Sequence, residues 1–551
     1  MRANTKITTK KVKCPEGTPG SEYMTIHEIH MDETAQNNER ILAEGVSVSN
    51  DSRVSGLNAN DLIIGGSGSG KTGGVLFRLL MYPTCSMIVS DTKGRLYKMF
   101  ANYLKEKGYK VKLLDFVRPE DSMAYNPFDY LGRDQNGKYL EKDVKKLAKI
   151  IMPVLDRKDP FWEKAGIRYI TMIMAYVLDA LPAEEQNLTS VIKLHQELVG
   201  GSGKEMLQEF AELHPDTLAA RKYKEMCETD KAEKMWASIL EFANEALDPF
   251  TYGEYDNIFG REDEIHLEDL GKEKTVLFIN CSDNDTSFHV LSNVLNAQAL
   301  QTLIMSADKN DDGKLPVPVR IILDDFSAGP QMDEFDNIIS IIRSRDISVS
   351  VIIQSISQLR SRYGNEAADT IMNNCDHILY LSGHDITTAQ YLAHYVDRTP
   401  GSILNKPREE AILITDGEKA RFVKKLTPYP EDCLAVLRSV KPQETEKEAE
   451  DTKSSEEEGE AGKQLSTLET AIEIRRMMEY NKAHGTEVAC EMPEEMVLAS
   501  WQNDPYEGFW EEDYSLYEED EISQFVPTEY TEEELIEMGI IHICKNESDE
   551  Q

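Results

Sequence analysis

The chain has 551 residues, with 99 acidic against 60 basic side chains and a formal net charge of −39. At roughly 150 residues per domain it has room for two to four domains, or one large domain with tails, and 40% apolar with 29% charged residues describes a largely globular chain. The acidity excludes a surface coated all over with basic nucleic-acid-binding residues, though not a local basic channel.

The longest apolar-rich run, Tyr169 to Leu181, is broken by Thr171 and Asp179, so no segment reads as a membrane-spanning helix. Met1 to Lys13 carries five positive residues without an apolar stretch behind them, which is not the pattern of a signal peptide. The eight cysteines are scattered, with no Cys-x-x-Cys pair. That predicts a reduced, cytoplasmic protein without a structural zinc. The charge is uneven. Residues 441–551 hold 33 acidic and 8 basic side chains, a net −25, which leaves 66 against 52, a net −14, for the first 440.

Residues 1–40 read as an N-terminal extension, and a short strand pair is expected around Met24–Ile29 and Ile41–Val48. Asp61 to Gly65 is a short apolar strand running into a Gly/Ser loop, followed by a helix from Lys71 to about Leu80. Ser86–Ser90 and Val111–Asp115 read as two further buried strands. From about 138 to 250 the period is helical. Val144, Leu147, Ala148, Ile151, Val154 and Leu155 recur at three-and-four spacing, as do Met235, Trp236, Ile239, Leu240, Ala243, Ala246 and Leu247. Strands return at Thr275–Asn280, Val319–Leu323, Ser348–Ile353 and Ile378–Leu381, with helices expected at 287–307, 333–344 and 365–373. Such alternation predicts an α/β fold with a mostly parallel sheet. The expected organisation is an α/β core from 41–135 and 262–430, interrupted by an all-α domain at 136–261. An acidic linker at 431–463 and an acidic, aromatic C-terminal segment at 464–551 follow.

The loop Gly65, Gly66, Ser67, Gly68, Ser69, Gly70, Lys71, Thr72 matches G-x-x-x-x-G-K-[ST]. Glycines let backbone N–H groups curl around phosphate oxygens without a Cβ clash. The following helix N-terminus adds partial positive charge. Lys71 reaches the β/γ-phosphates and Thr72 offers a hydroxyl to Mg²⁺. Val319 to Leu323 ends in Asp324 and Asp325, which supplies a metal anchor in Asp324 and, in Asp325, a group to orient the attacking water. Arg343 closes a predicted helix. It is either a cation favourable to the helix C-terminus or an arginine finger donated to a neighbouring subunit. Gln354 ends the next strand, either as an ordinary amide or as a sensor of the γ-phosphate.

These pieces occur in order with Ser90-Asp-Thr-Lys-Gly94, Asn126-Pro-Phe-Asp129, Asp159-Pro-Phe-Trp162, Leu323-Asp-Asp-Phe-Ser327, Arg343-Ser-Arg345, Ile353-Gln-Ser-Ile-Ser-Gln358 and Tyr363-Gly364. Over roughly 40–430 the sequence resembles the TraG-like coupling proteins of type IV secretion, ATPases related to RecA-like and FtsK-like motor domains. The resemblance implies a RecA-like P-loop core that uses ATP and Mg²⁺. It implies a homo-hexameric ring that moves single-stranded DNA, with its relaxase, toward a secretion channel. It also implies an all-α domain that helps to receive the relaxase. The family's second Walker B acid is usually Glu, whereas Asp325 is one methylene shorter and must reach about 1.5 Å further. The family's N-terminal membrane anchor has no counterpart in this sequence, so recruitment to the cytoplasmic face of the membrane through partners, or an anchor carried on a separate chain, is expected.

A receptor or scaffold that docks secretion substrates with little ATP turnover is the alternative, and a helicase or packaging motor outside secretion is a third reading. Lys142, Lys145, Lys146, Lys149, Arg157 and Lys158 form either a solvated helix face or a DNA contact. In the C-terminal segment a short helix is expected from Leu465 to Tyr480, and Thr531-Glu-Glu-Glu534 reads as a capping box. That segment is either a docking element or a solubilising appendage.

Overall fold

The computed structural model describes residues 38–476 except 92–93, 154–159, 202, 228–231, 282–288, 328–331, 333, 441–465 and 473–474, together with the backbone of 6–13 and 23–30. The chain divides into two compact units. One comprises Met1–Tyr125 and Asp263–Ser454, the other Asn126–Glu262 and Ser455–Gln551.

The first unit is built on a nine-stranded sheet. Ahead of it in sequence lie two hairpins, β1 (Lys6–Lys13) with β2 (Tyr23–His30), and β3 (Glu39–Ala43) with β4 (Val46–Ser49). The sheet strands are β5 (Asp61–Gly65), β6 (Ser86–Ser90), β7 (Lys110–Asp115), β8 (Thr275–Asn280), β9 (Val319–Leu323), β10 (Ile347–Ile353), β11 (His377–Ser382), β12 (Glu410–Thr415) and β13 (Arg421–Lys424). Their order is β13-β12-β11-β5-β10-β9-β6-β8-β7. From β11 to β7 all neighbours are parallel, and β12 and β13 close one edge as an antiparallel pair. Every residue of β5, β8, β9 and β10 is buried, as a parallel sheet covered on both faces requires. Helices Arg95–Glu106 and His289–Asp308 are among the crossovers.

The expected pairing of Met24–Ile29 with Ile41–Val48 is corrected. Residues 23–30 pair with 6–13, and 41–48 itself holds a hairpin that turns at Glu44-Gly45. Gly45 has φ 68°, a conformation open to glycine, so the apolar run folds back on itself.

A charge cluster is buried at the amino edge of the sheet. Arg40 on β3 grips Asp61 through Nε at 2.9 and 3.0 Å and Nη2 at 2.6 Å, and Arg320 on β9 donates to Asp61 at 3.0 Å. Ser350 adds a hydroxyl at 3.2 Å, and Nδ1 of His377 lies 3.2 Å from Arg40 Nη2. Burial pushes the Asp61 carboxyl up, but the two guanidiniums outweigh it and hold it below the usual range. Burial, with the same two arginines, lowers His377 to about 4 against the pull of Asp61, so the imidazole is neutral and accepts from Arg40.

The second unit is helical. Its centre is the helix Phe161–Ala180, buried from Ala165 to Leu178 apart from Arg168. Around it pack helices Glu141–Ile151, Leu188–Gly200, Leu218–Cys227 and Ala232–Leu247. Tyr169 and His195 share a buried hydrogen bond of 2.8 Å. Residues 466–476 belong to this unit. Ser466 and Glu469 form a reciprocal capping box, at 2.9 and 3.2 Å, on a short helix. Glu185 accepts from the N–H groups of Thr467 and Leu468, and Leu468 is buried. Glu469 pairs with Lys193, Arg475 with Glu205 and Glu209, and Arg476 with Glu197. The capping box expected at Thr531 and the aromatic stretch before it lie outside the described residues.

Candidate functional site

Three neighbouring parallel strands, β5, β10 and β9, end at one carboxyl edge, and the loop, the amide and the acid pair emerge there. In an open α/β sheet this edge is where ligands bind. The loop leaves β5 at Gly65, and Gly66 is held by its N–H to the carbonyl of Ser382 at 2.9 Å. Gly68 and Gly70 take φ of 69° and 100°, which an L side chain adopts only with strain. A Cβ on Gly65 would lie 2.3 Å from Ser69 Oγ and 3.1 Å from its Cβ, so Ser69 would have to shift to admit one. The helix that follows opens with a wide π-type turn, Lys71–Leu76, and continues as Phe77–Met81.

Lys71 Nζ folds over the loop and donates to the Gly65 carbonyl at 2.8 Å. Thr72 Oγ1 faces Asp324 Oδ2 at 3.4 Å. Asp324 turns one carboxylate oxygen back to accept the N–H of Asp325 at 2.9 Å. Loss of solvent, then the charge of Asp325, raises the Asp324 pKa to about 6 against the opposing charge of Lys71. Asp325 stands in the left-handed region at φ 47° and meets Gln354 Nε2 at 3.4 Å. Lys71, Thr72 and Asp324 therefore come together, with Asp325 and Gln354 beside them.

Arg343 does not join them. It lies in the short 3₁₀ turn Ile342–Arg345 before β10, is exposed, and donates to the carbonyl of Gly56 at 2.5 Å. Gln354 is beyond the other end of β10, a strand of seven residues or about 20 Å. Arg343 therefore cannot reach the loop of its own chain. A cavity of about 570 Å³ opens around Arg343, Lys314 and Arg345, away from the acid pair.

The residues present fit a magnesium-bound nucleotide. Among the described residues, buried Ser69 Oγ has no hydrogen-bond partner. A hydroxyl and a carboxylate are hard oxygen donors of the kind Mg²⁺ takes. The glycine conformations form an anion-binding concavity at a helix start. Sequence reasoning missed the segment that lies against this helix, Leu426–Pro430 after β13. Its Tyr429 N–H donates to Gly73 O at 3.0 Å, and nothing local to 426–430 signals a partner some 350 residues upstream. Of the basic stretch, Lys142, Lys145, Lys146 and Lys149 are exposed on one helix, while Arg157 and Lys158 lie outside the described residues. Among the described residues no helix is long and apolar enough to cross a membrane, and no cluster of metal-ligating side chains of three or more occurs.

The fold is that of RecA-like P-loop NTPases. It is similar to the bacterial conjugative coupling protein TrwBΔN70, with TM-score 0.54, 15% identity, 72% of this chain and 92% of that chain. It is also similar to the plasmid coupling protein TrwB in complex with ADP and Mg²⁺, with TM-score 0.51, 15% identity and 67% and 85% coverage. The conjugal transfer protein TraG of Rhizobium radiobacter is 21% identical over 359 residues. That alignment takes in 61% of this chain but spans only about half, 52%, of the relative. Residues 23–399, well over half of the chain, match the family described as "Type IV secretory system Conjugative DNA transfer", and with the P-loop after β5 and the acid pair after β9, on either side of β10 in such a sheet, the chain belongs to that family.

Proposed function

We propose that the protein is an ATP-hydrolysing coupling protein that delivers single-stranded DNA with its relaxase to a type IV secretion channel. The observation that carries this reading is the convergence of Lys71, Thr72 and Asp324 at one sheet edge, with Asp325 and Gln354 adjoining. Gly65 to Thr72 would hold the phosphates, and Thr72 with Asp324 would hold Mg²⁺. The bound ion supplies charge neutralisation on the transferred phosphoryl group. Lys71 would leave the Gly65 carbonyl for the β/γ-phosphates. Asp325 would orient the attacking water, with Gln354 reporting the state of the γ-phosphate. Arg343 would act on the site of a neighbouring subunit, since it stands at the far end of β10 from its own loop.

Steady-state ATPase assays with and without single-stranded DNA test the proposal. The expected result is turnover that DNA stimulates and that Lys71→Ala abolishes. Normal turnover in that variant would sink it. The shorter reach of Asp325, held at φ 47°, favours a second reading as a nucleotide-binding receptor for secretion substrates. That reading predicts tight Mg·ATP binding without turnover, with or without DNA.

A further inference from the structure

We propose that Tyr429 forms the wall on which the base of the bound nucleotide stacks, an inference that rests on the nucleotide reading of the P-loop. The site has a direction. Asp324, Asp325 and Gln354 follow β9 and β10, on one side of β5, and Thr72 faces Asp324 at 3.4 Å. The terminal phosphates therefore point toward β10 and β9, and the nucleoside leaves the loop on the opposite side, toward β11. The strand order puts β12 and β13 beyond β11, and Leu426–Pro430 follows β13.

This segment is fitted to the glycines of the helix start. A Cβ on Gly70 would lie 3.9 Å from Pro428 Cγ, and one on Gly74 would lie 3.2 Å from the Leu426 carbonyl. A Cβ on Gly73 would fall 2.5 Å from the Tyr429 ring. Residue 73 can only be glycine while the ring stays where it is. Tyr429 takes φ 47°, a conformation that a non-glycine residue adopts only with strain. Such outliers gather where surrounding structure holds a ligand-facing residue in place. The Gly73 carbonyl fixes its N–H at 3.0 Å, and the ring meets Phe77 edge-on at 5.5 Å and 83°. Even so, Tyr429 stays 40% exposed. A ring held two residues past Lys71, with surface left open, suits the planar face of a base. Stacking accepts any base, so the contact adds affinity without choosing the nucleotide.

Calorimetric titration of the full chain with Mg·ADP and with Mg·pyrophosphate, in wild type, Tyr429→Ala and Tyr429→Phe, tests this. Tyr429→Ala should weaken ADP binding about tenfold, within the range of one base–aromatic stack, and leave pyrophosphate binding within twofold. Tyr429→Phe should behave as wild type. Unchanged ADP affinity in Tyr429→Ala overturns the proposal, and so does an equal loss for both ligands, which would make the ring a packing element of the helix. If wild type binds neither ligand, the nucleotide reading beneath it fails instead. A second measurement avoids the variants. Photolabelling of wild type with 8-azido-ADP should mark the peptide that carries Tyr429, and labelling confined elsewhere counts against the proposal.

Discussion

Asp324 meets two opposed demands. As the proposed magnesium ligand it would have to be ionised, yet loss of solvent and Asp325 raise its pKa to about 6. It is about nine-tenths ionised at pH 7 and about one-tenth at pH 5. The Mg²⁺ dependence of nucleotide binding should therefore weaken about tenfold between these values beyond the titration of the nucleotide itself, and Asp324→Asn should remove that extra dependence. Equal pH profiles for the two proteins would refute the assignment. The sign for stability is the reverse. A carboxyl whose folded pKa is raised costs stability once ionised, and the cost disappears as pH falls from about 6 toward 3.8. Without ligand, Asp324→Asn should melt higher than wild type at pH 8. Asp61 is the opposite case, held ionised between two guanidiniums. Asp61→Asn leaves both arginines buried without a counter-charge and should cost about 3–5 kcal/mol in urea unfolding. A loss under 1 kcal/mol would show that the cluster is solvated.

At the scale of elements, local pattern and long-range pairing part company. The strands β5, β8, β9 and β10 could be read directly, because a parallel strand buried on both faces needs a continuous apolar run. The division of 41–48 into β3 and β4 could not, since one glycine turn inside an apolar run looks like an irregular strand. The Leu465–Tyr480 helix could be expected from its apolar spacing, but its site could not. Four ion pairs and a borrowed carboxylate from Glu185 place residues 466–476 on the helical unit, using side chains more than 250 positions away. Exposed pairs are each worth under about 1 kcal/mol, so the buried Leu468 and the capping box carry a share of the docking. Reversing charge with R475E and R476E sets like charges against Glu197, Glu205 and Glu209. Amide exchange across 467–472 should then speed up at least about tenfold, with the nine-stranded sheet unchanged. Unaltered exchange would mean that the pairs contribute nothing.

For the whole molecule, the position of Arg343 is the test of assembly. It stands about a strand's length from its own phosphate loop, so any catalytic part it plays needs a second copy. Arg343→Ala should keep Mg·ATP binding and lose turnover. Mixed with Lys71→Ala, which supplies the arginine but not the lysine, it should recover part of the activity. No recovery, or full activity in Arg343→Ala alone, would return Arg343 to a helix-end cation. The net charge of −39 bears little on these questions, because the phosphate loop and any DNA path are local, and −25 of it lies in 441–551.

The sequence by itself determined the phosphate loop, the strand that ends in the acid pair, the parallel α/β class and the helical stretch between them. In each of these the physical constraint acts within a few residues: glycine at positive φ, an unbroken apolar run, a 3.6-residue period. Only the tertiary structure decided that β10 lies between β5 and β9 and brings Gln354 to Asp325, and that Arg343 is held at the opposite edge. Only it showed that Arg40 and Arg320 converge on Asp61, and that Tyr429 covers Gly73. Those pairings join residues from about 20 to more than 350 positions apart, and their energy comes from excluding water around groups that share no local pattern.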